Sequence, residues 1–235
     1  MRAPLPLCAV VLDMDGTLLD TEPLAARAWL DAASTLGVRF DDALLPSMVG
    51  RTYADCRTLL VASLDDADAV DRLMRGWHAA YDAIVEREGL ALKAGVTELF
   101  DWLDEAEVPR AVATSTRRDR ALAKLGSTGL ASRLHAIVGG DEVARGKPAP
   151  NIFLEAAARL AVAPADCAVL EDSDAGVQGA LAAGMTPIMI PDGRPPSQEV
   201  LRAKPLIVGT LHHAIPHLVA LIGGERTSRH RTIVR

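Results

Sequence analysis

Aromatic residues make up 3% of the 235-residue chain, and with only three Phe there is little surface on which unpaired bases could stack. Positive charge is also short. The formal net charge is -6, so no broad electrostatic attraction draws the chain to nucleic acid or to an anionic membrane. No apolar run approaches the roughly 18 to 20 residues that span a bilayer. Met1-Arg2-Ala3-Pro4-Leu5-Pro6 lacks a signal-peptide pattern, so a cytoplasmic location is expected, with neither nucleic acid nor membrane as a partner. Cysteines number three, an odd count, and Cys8 and Cys167 sit in strand-like runs; core thiols are expected rather than disulfides or a metal cluster. Lysine is the scarcest charged residue, with only Lys93, Lys124, Lys147 and Lys204 among 25 basic residues.

What the chain does have is a repeated arrangement of polar residues at the ends of apolar runs. Cys8-Ala9-Val10-Val11-Leu12 leads directly into Asp13-Met14-Asp15-Gly16-Thr17. A buried strand ending this way puts two carboxyl groups at the carboxyl edge of a sheet, where open α/β folds bind ligands. Residues two apart in a strand project to one side, so Asp13 and Asp15 can share a site, while Gly16 lets the chain turn close to a ligand. Ala111-Val112-Ala113 runs into Thr114-Ser115-Thr116, a source of hydroxyls and backbone N–H groups suited to phosphate. Gly146-Lys147-Pro148-Ala149-Pro150 holds a lysine in a stiff loop, and Cys167-Ala168-Val169-Leu170 ends in Glu171-Asp172-Ser173-Asp174. Each segment alone has an ordinary explanation: an Asp-Gly turn, a hydroxyl cap, a solvated lysine, an acidic helix start. All four together, each after a strand, are hard to explain that way.

Alternating strand and helix signals predict an α/β fold, a doubly wound Rossmann-like parallel sheet interrupted once by a helical insert. Strands are expected near 8–13, 109–114, 135–138, 167–171, 186–190 and 206–208. Phe153, Ala156, Ala157 and Leu160 follow helical spacing, and the Gly/Ala-rich stretch from Ala175 to Gly184 suits close packing on the sheet. Residues 21–93 contain no strand-like run but carry helical stripes such as Val70, Leu73, Met74, Trp77 and Tyr81. The expected division is a core of 1–20 and 94–223, an insert of 21–93, and a flexible tail of 224–235. With 49% hydrophobic residues the chain can bury such a core and one accessory module. A monomer and a homodimer are both compatible with it. His212, His213 and His217 have no acid or cysteine close in sequence, so they read as a solvated helix rather than a metal site.

The order acid pair, hydroxyl, lysine, acid pair resembles the haloacid dehalogenase superfamily of phosphohydrolases, whose four motifs are matched by Asp13/Asp15, Thr114, Lys147 and Glu171/Asp172. Gly146-Lys147-Pro148-Ala149-Pro150 and Leu170-Glu171-Asp172-Ser173 are most similar to the subfamily of phosphoglycolate phosphatase and β-phosphoglucomutase. The resemblance identifies the insert as a helical cap over the active site. It implies that Asp13 is the nucleophile that takes a phosphoryl group and that Asp15 is the acid and later the base. Thr114 and Lys147 would steady the transferring charge, with help from Ser115 and the turn at Gly16, and Arg51 would lie in a substrate-specificity loop. A carboxylate attacking a dianionic phosphate needs a neutralising divalent cation, and oxygen-only ligands favour Mg2+. Its expected ligands are Asp13, the Asp15 main-chain carbonyl and Asp172, with Glu171 bound through water or serving as an acceptor behind them.

The departures narrow the reaction. Dehalogenases of the superfamily lack the second acid that this chain keeps in Asp15, and phosphonatases use a cap lysine where the first lysine here is Lys93. The expected activity is a phosphatase acting on a small phosphorylated metabolite, a sugar phosphate or a phosphoglycolate-like acid. A phosphosugar mutase is the nearest alternative; the positions matching a mutase's cap-coupling histidine and distal-phosphate arginine hold Ala25 and Tyr53, with Arg51 able to replace the arginine. A non-catalytic phosphate-binding regulator on the same fold is the alternative of another class. Arg51, Tyr53, Arg57 and Trp77 have side chains suited to substrate selection.

Overall fold

The computed structural model describes residues 7–40, 44–48 and 53–223. It has two compact units, one built from the chain up to Leu18 and from Leu92 onward, the other from Leu19–Ala91. In chain order, strand β1 (Ala9–Leu12) opens the first unit, and the second supplies helices α1 (Glu22–Leu36), α2 (Leu44–Met48), α3 (Tyr53–Leu64) and α4 (Ala67–Glu88). The first unit resumes with α5 (Val96–Glu105), β2 (Arg110–Ala113), α6 (Arg118–Ser127), β3 (Ala136–Val138), α7 (Asn151–Leu160) and β4 (Cys167–Glu171). It ends with α8 (Asp174–Ala182), β5 (Thr186–Met189), α9 (Gln198–Ala203), β6 (Leu206–Ile207) and α10 (Leu211–Gly223).

All six strands run parallel in the order β3-β2-β1-β4-β5-β6. Each observed strand agrees with its sequence expectation to within one residue at either end. The strands β1, β2 and β4 are buried at every position, as a sheet covered on both faces requires. Strand order reverses around β1, so its carboxyl end opens onto the crevice where doubly wound sheets bind ligands. Register does the rest of the positioning. Leu12 pairs with Val112 on one side and Leu170 on the other, so the residues that follow each strand emerge side by side.

Helix α7 buries Ile152, Phe153, Ala156 and Ala157 against Ala9, Val11, Ala111 and Val169 of the sheet. Small residues let α8 come close: a Cβ on Gly179 would stand 2.9 Å from the Phe153 ring. Cys8, Cys56 and Cys167 are thiols joined in no disulfide among the described residues, and burial pushes Cys167 up to about 11.

Within the second unit, α1 packs along α4. Pro23 in its first turn and Gly37, in a left-handed conformation after its last, delimit α1, and the Asp66 side chain caps α4 by accepting the Ala69 N–H at 2.8 Å. Val70, Leu73, Met74 and Tyr81 form the buried stripe of α4, joined by Trp29, Ala32 and Leu60. Trp77 stacks between Trp29 and Tyr81, with ring centroids 5.2 and 5.3 Å away. The expected flexible tail, 224–235, lies outside the described residues.

Candidate active site

Asp13 follows the last residue of β1, its N–H donating to the Leu170 carbonyl at 2.9 Å, and is only 6% exposed. Lys147 comes from the loop before α7 and donates to Asp13 Oδ1 and, at 2.6 Å, to Glu171 Oε1. Its ammonium also lies 5.2 Å from the Phe153 ring centre. Glu171 ends β4 wholly buried, and its second oxygen accepts both the N–H and the hydroxyl of Ser173, which caps α8. Space for that carboxylate exists because residue 176 is glycine: a Cβ there would overlap Glu171 at 1.8 Å. Burial opposes the charge on Lys147, but Asp13 and Glu171 outweigh it and raise the ammonium's pKa. Lys147 is therefore charged at neutral pH.

Asp172 accepts the Thr17 hydroxyl at 3.2 Å and faces Gly16, whose φ of +87° and 2.5 Å approach of a notional Cβ to Asp172 Oδ2 exclude any other residue there. Asp13, Glu171 and Asp172 can each offer an oxygen within 4.8 Å of the others. Burial pushes Asp13 up to about 7 against the pull of Lys147, and Asp172 up to about 9, through burial first and then repulsion from Glu171 and Asp13. Three acids share one ammonium, so charge is left uncompensated when all ionise. Across Gly16 lies Asp192, in the loop after β5; its Oδ1 takes Lys93 Nζ at 2.9 Å while Oδ2 is buried without a hydrogen-bond partner. An all-oxygen donor set, excess negative charge and an orphaned buried acceptor fit a hard divalent cation. Among the described residues this is the one group of three or more His, Cys, Asp or Glu that converges in this way. His212 meets Glu98 at 3.3 Å and His213 meets Thr210, and neither gathers further ligands.

The second acid of the pair has a different setting. Asp15 Oδ2 accepts the Thr116 hydroxyl at 2.7 Å, and Oδ1 accepts Lys124 Nζ at 2.6 Å. Its carboxylate is thus tied to the loop after β2 and to α6. Thr114, 1% exposed, accepts the Thr116 N–H at 3.1 Å and so shapes the turn that presents Thr116. Ser115 is exposed.

Two residues at the site escaped sequence reasoning, and a third, Thr116, was legible only as part of the hydroxyl run 114–116. Lys124 carries no motif of its own, and Asp192 had as its signal only an Asp-Gly turn after the fifth strand. The scarcity of lysine was the better clue, since Lys93, Lys124 and Lys147 all pair with acids here. Of the residues expected to select substrate, Arg51 and the Tyr53 side chain lie outside the described residues. Trp77 packs within its own unit, its indole N–H donating to the Ala25 carbonyl at 3.0 Å, and Arg57 pairs with Asp71.

Comparison with known proteins agrees with this geometry. Residues 8–184 match the family model of haloacid dehalogenase-like hydrolases. The chain is 33% identical over 177 residues to a phosphorylated carbohydrates phosphatase of Thermotoga maritima, covering 75% of this chain and 82% of that one. It is 28% identical over 196 residues to the β-phosphoglucomutase of Bacillus subtilis, covering 80% of this chain and 84% of that one. Among solved structures, a family IA haloacid dehalogenase hydrolase from Entamoeba histolytica superposes with a TM-score of 0.76 at 27% identity, over 92% of this chain and all of that one. With family match, fold and clustered acids in accord, the chain belongs to the haloacid dehalogenase-like hydrolases, as a hydrolase of phosphoric monoesters.

Proposed function

We propose that the protein is a Mg2+-dependent phosphatase of a small phosphorylated metabolite, a sugar phosphate or a phosphoglycolate-like acid, acting through an aspartyl-phosphate on Asp13. The observation that carries the reading is the buried Asp13 carboxylate held by Lys147 at the carboxyl end of the central strand. In the first half-reaction an Asp13 oxygen bonds to phosphorus, the ester P–O bond breaks, and Asp15 gives a proton to the departing oxygen. In the second, Asp15 takes a proton from water as the water oxygen bonds to phosphorus and the P–O bond to Asp13 breaks, releasing inorganic phosphate. Lys147 and the Thr114 hydroxyl stabilise charge on the phosphoryl oxygens, with the Ser115 N–H and the turn at Gly16 near them and Arg51 as a substrate contact. Asp13, Asp172, Glu171 and the main-chain carbonyl of Asp15 would hold Mg2+, which when bound supplies neutralisation of the phosphate's charge.

A screen of sugar phosphates, glycerol phosphate and phosphoglycolate, read as released phosphate, tests this. Turnover that stops with EDTA and returns with Mg2+ is expected; no release from any substrate, or full activity after EDTA, would overturn it. The likeness to β-phosphoglucomutase keeps a mutase as the second reading. Against it stands Ala25, whose methyl can neither carry a proton nor hold a phosphate. With β-glucose 1-phosphate and a bisphosphate primer, inorganic phosphate should outpace glucose 6-phosphate, and the reverse order would establish the mutase.

A further inference from the structure

Asp13 and Asp15 lie on one short turn, and a carboxylate at residue 15 left to itself has two rotatable bonds and an acidic neighbourhood that repels it. A side chain that must give a proton to one oxygen and take it from another has to be held within hydrogen-bond reach of both. Asp15 is held at both oxygens, by the Thr116 hydroxyl and by Lys124 Nζ at 2.7 and 2.6 Å. Lys124 is the seventh residue of α6, beside the buried Leu125 and three positions after the buried Ala121. Its stem therefore runs along the packed side of the helix, and its side chain is only 16% exposed, unlike a solvated surface lysine.

We infer that Lys124 is a positioning residue for proton transfer by Asp15: together with Thr116 it holds the carboxylate away from the Asp13, Glu171 and Asp172 cluster, so that Asp15 serves the leaving group and water. The inference rests on the phosphatase reading. It assigns the three lysines separate duties, with Lys147 on the nucleophile, Lys124 on the acid/base and Lys93 on Asp192.

The test compares two leaving groups. A p-nitrophenolate leaves without a proton, whereas the alkoxide of a sugar phosphate needs one, so misplacing Asp15 should slow only the second in kcat/KM. Lys124→Met is expected to lower kcat/KM for the best sugar phosphate by about 30-fold, a partial loss below the roughly 10²- to 10⁴-fold that general acid–base catalysis as a whole supplies, and for p-nitrophenyl phosphate by less than about 3-fold. Lys124→Arg, which keeps a cation within reach, should restore the wild-type ratio of the two substrates. In an Asp15→Asn background, Lys124→Met should cost little more, because Lys124 acts through Asp15. Equal losses on both substrates would mark a merely structural role and overturn the inference, as would no loss on either. If Lys124→Met does not fold, Lys124→Gln carries the same comparison, and a glutamine variant with the wild-type ratio overturns it. A wild type that turns over neither substrate would overturn the phosphatase reading as well, whereas wild-type turnover with an unchanged variant ratio removes the inference alone.

Discussion

Asp13 and Asp15 are chemically identical side chains two residues apart, each paired to a lysine, yet their settings differ. The Asp13–Lys147 pair is buried, at 9% and 5% side-chain exposure, among two further acids, whereas the Asp15–Lys124 pair keeps 27% and 16% and adds a hydroxyl. Burial and like charge raise Asp13 to about 7, which makes its ionisation depend on what compensates it. Asp15 is fixed by partners on a different loop and helix. The difference shows how one short motif can place two identical side chains in different chemical settings: what separates them is the surroundings, because the residue type is the same.

The largest expected effect separates the two acids directly. Asp13→Asn, nearly isosteric, should lower kcat on p-nitrophenyl phosphate by about 10⁴-fold or more, as loss of a nucleophile does. A variant retaining a tenth of wild-type turnover at unchanged melting temperature would remove the distinction between Asp13 and Asp15.

Next come the two lysines, compared by urea unfolding. Lys147→Met leaves buried carboxylates without their cation and should cost about 3 to 5 kcal/mol of stability. Lys124→Met breaks a partly exposed pair and should cost no more than about 1 kcal/mol after solvent screening. Similar losses would mean the pairs are equivalent.

The pH dependence sharpens the same contrast. Asp13 and Asp172 carry folded-state pKa values of about 7 and 9 against 3.8 for an ordinary aspartate, so across that interval the folded state binds more protons than the unfolded one. Stability from these groups is then highest at low pH and falls as pH rises through about 7 and 9. Lys147, raised above its ordinary value, keeps its contribution throughout that window. Melting temperature should decline between pH 5 and 9 without divalent cation, and saturating Mg2+ should flatten the decline by favouring the ionised acids. Identical curves with and without Mg2+ would contradict the cation site.

The smallest effect concerns the third pair. Asp192→Asn should weaken Mg2+ binding by about tenfold in calorimetry, the loss typical of a group that supports a metal's ligands from behind, with little change in melting. Unchanged affinity would leave Asp192 as a counter-ion to Lys93 alone.

The four motifs were legible because each is local. Asp13, Thr114, Lys147 and Glu171 each sit at or near the end of an apolar run or in a Gly/Pro loop, and an apolar run's period and punctuation are properties of neighbouring residues. The strands came out within a residue for the same reason. The type of Trp77 suits both a packed helical stripe and a substrate contact; its stack with Tyr81 is one helical turn away, but its stack with Trp29 joins residues far apart in sequence. Lys124 stayed hidden because a lysine in the middle of a helix normally faces solvent.

By itself, then, the order of residues determined the succession of strands and helices, the two acids at the end of β1, and the kinds of groups at each later strand end. Which lysine serves which acid was decided only by the tertiary structure. Lys124 and Asp15 are 109 positions apart, Lys147 and Asp13 134, and Lys93 and Asp192 99. Pairings at such separations depend on the strand order around β1, on the register of Leu12 with Val112 and Leu170, and on the rotation of α6 that turns residue 124 inward. Those quantities come from packing the whole sheet with its helices, where burial acts on all the elements at once and no short stretch of sequence carries the answer.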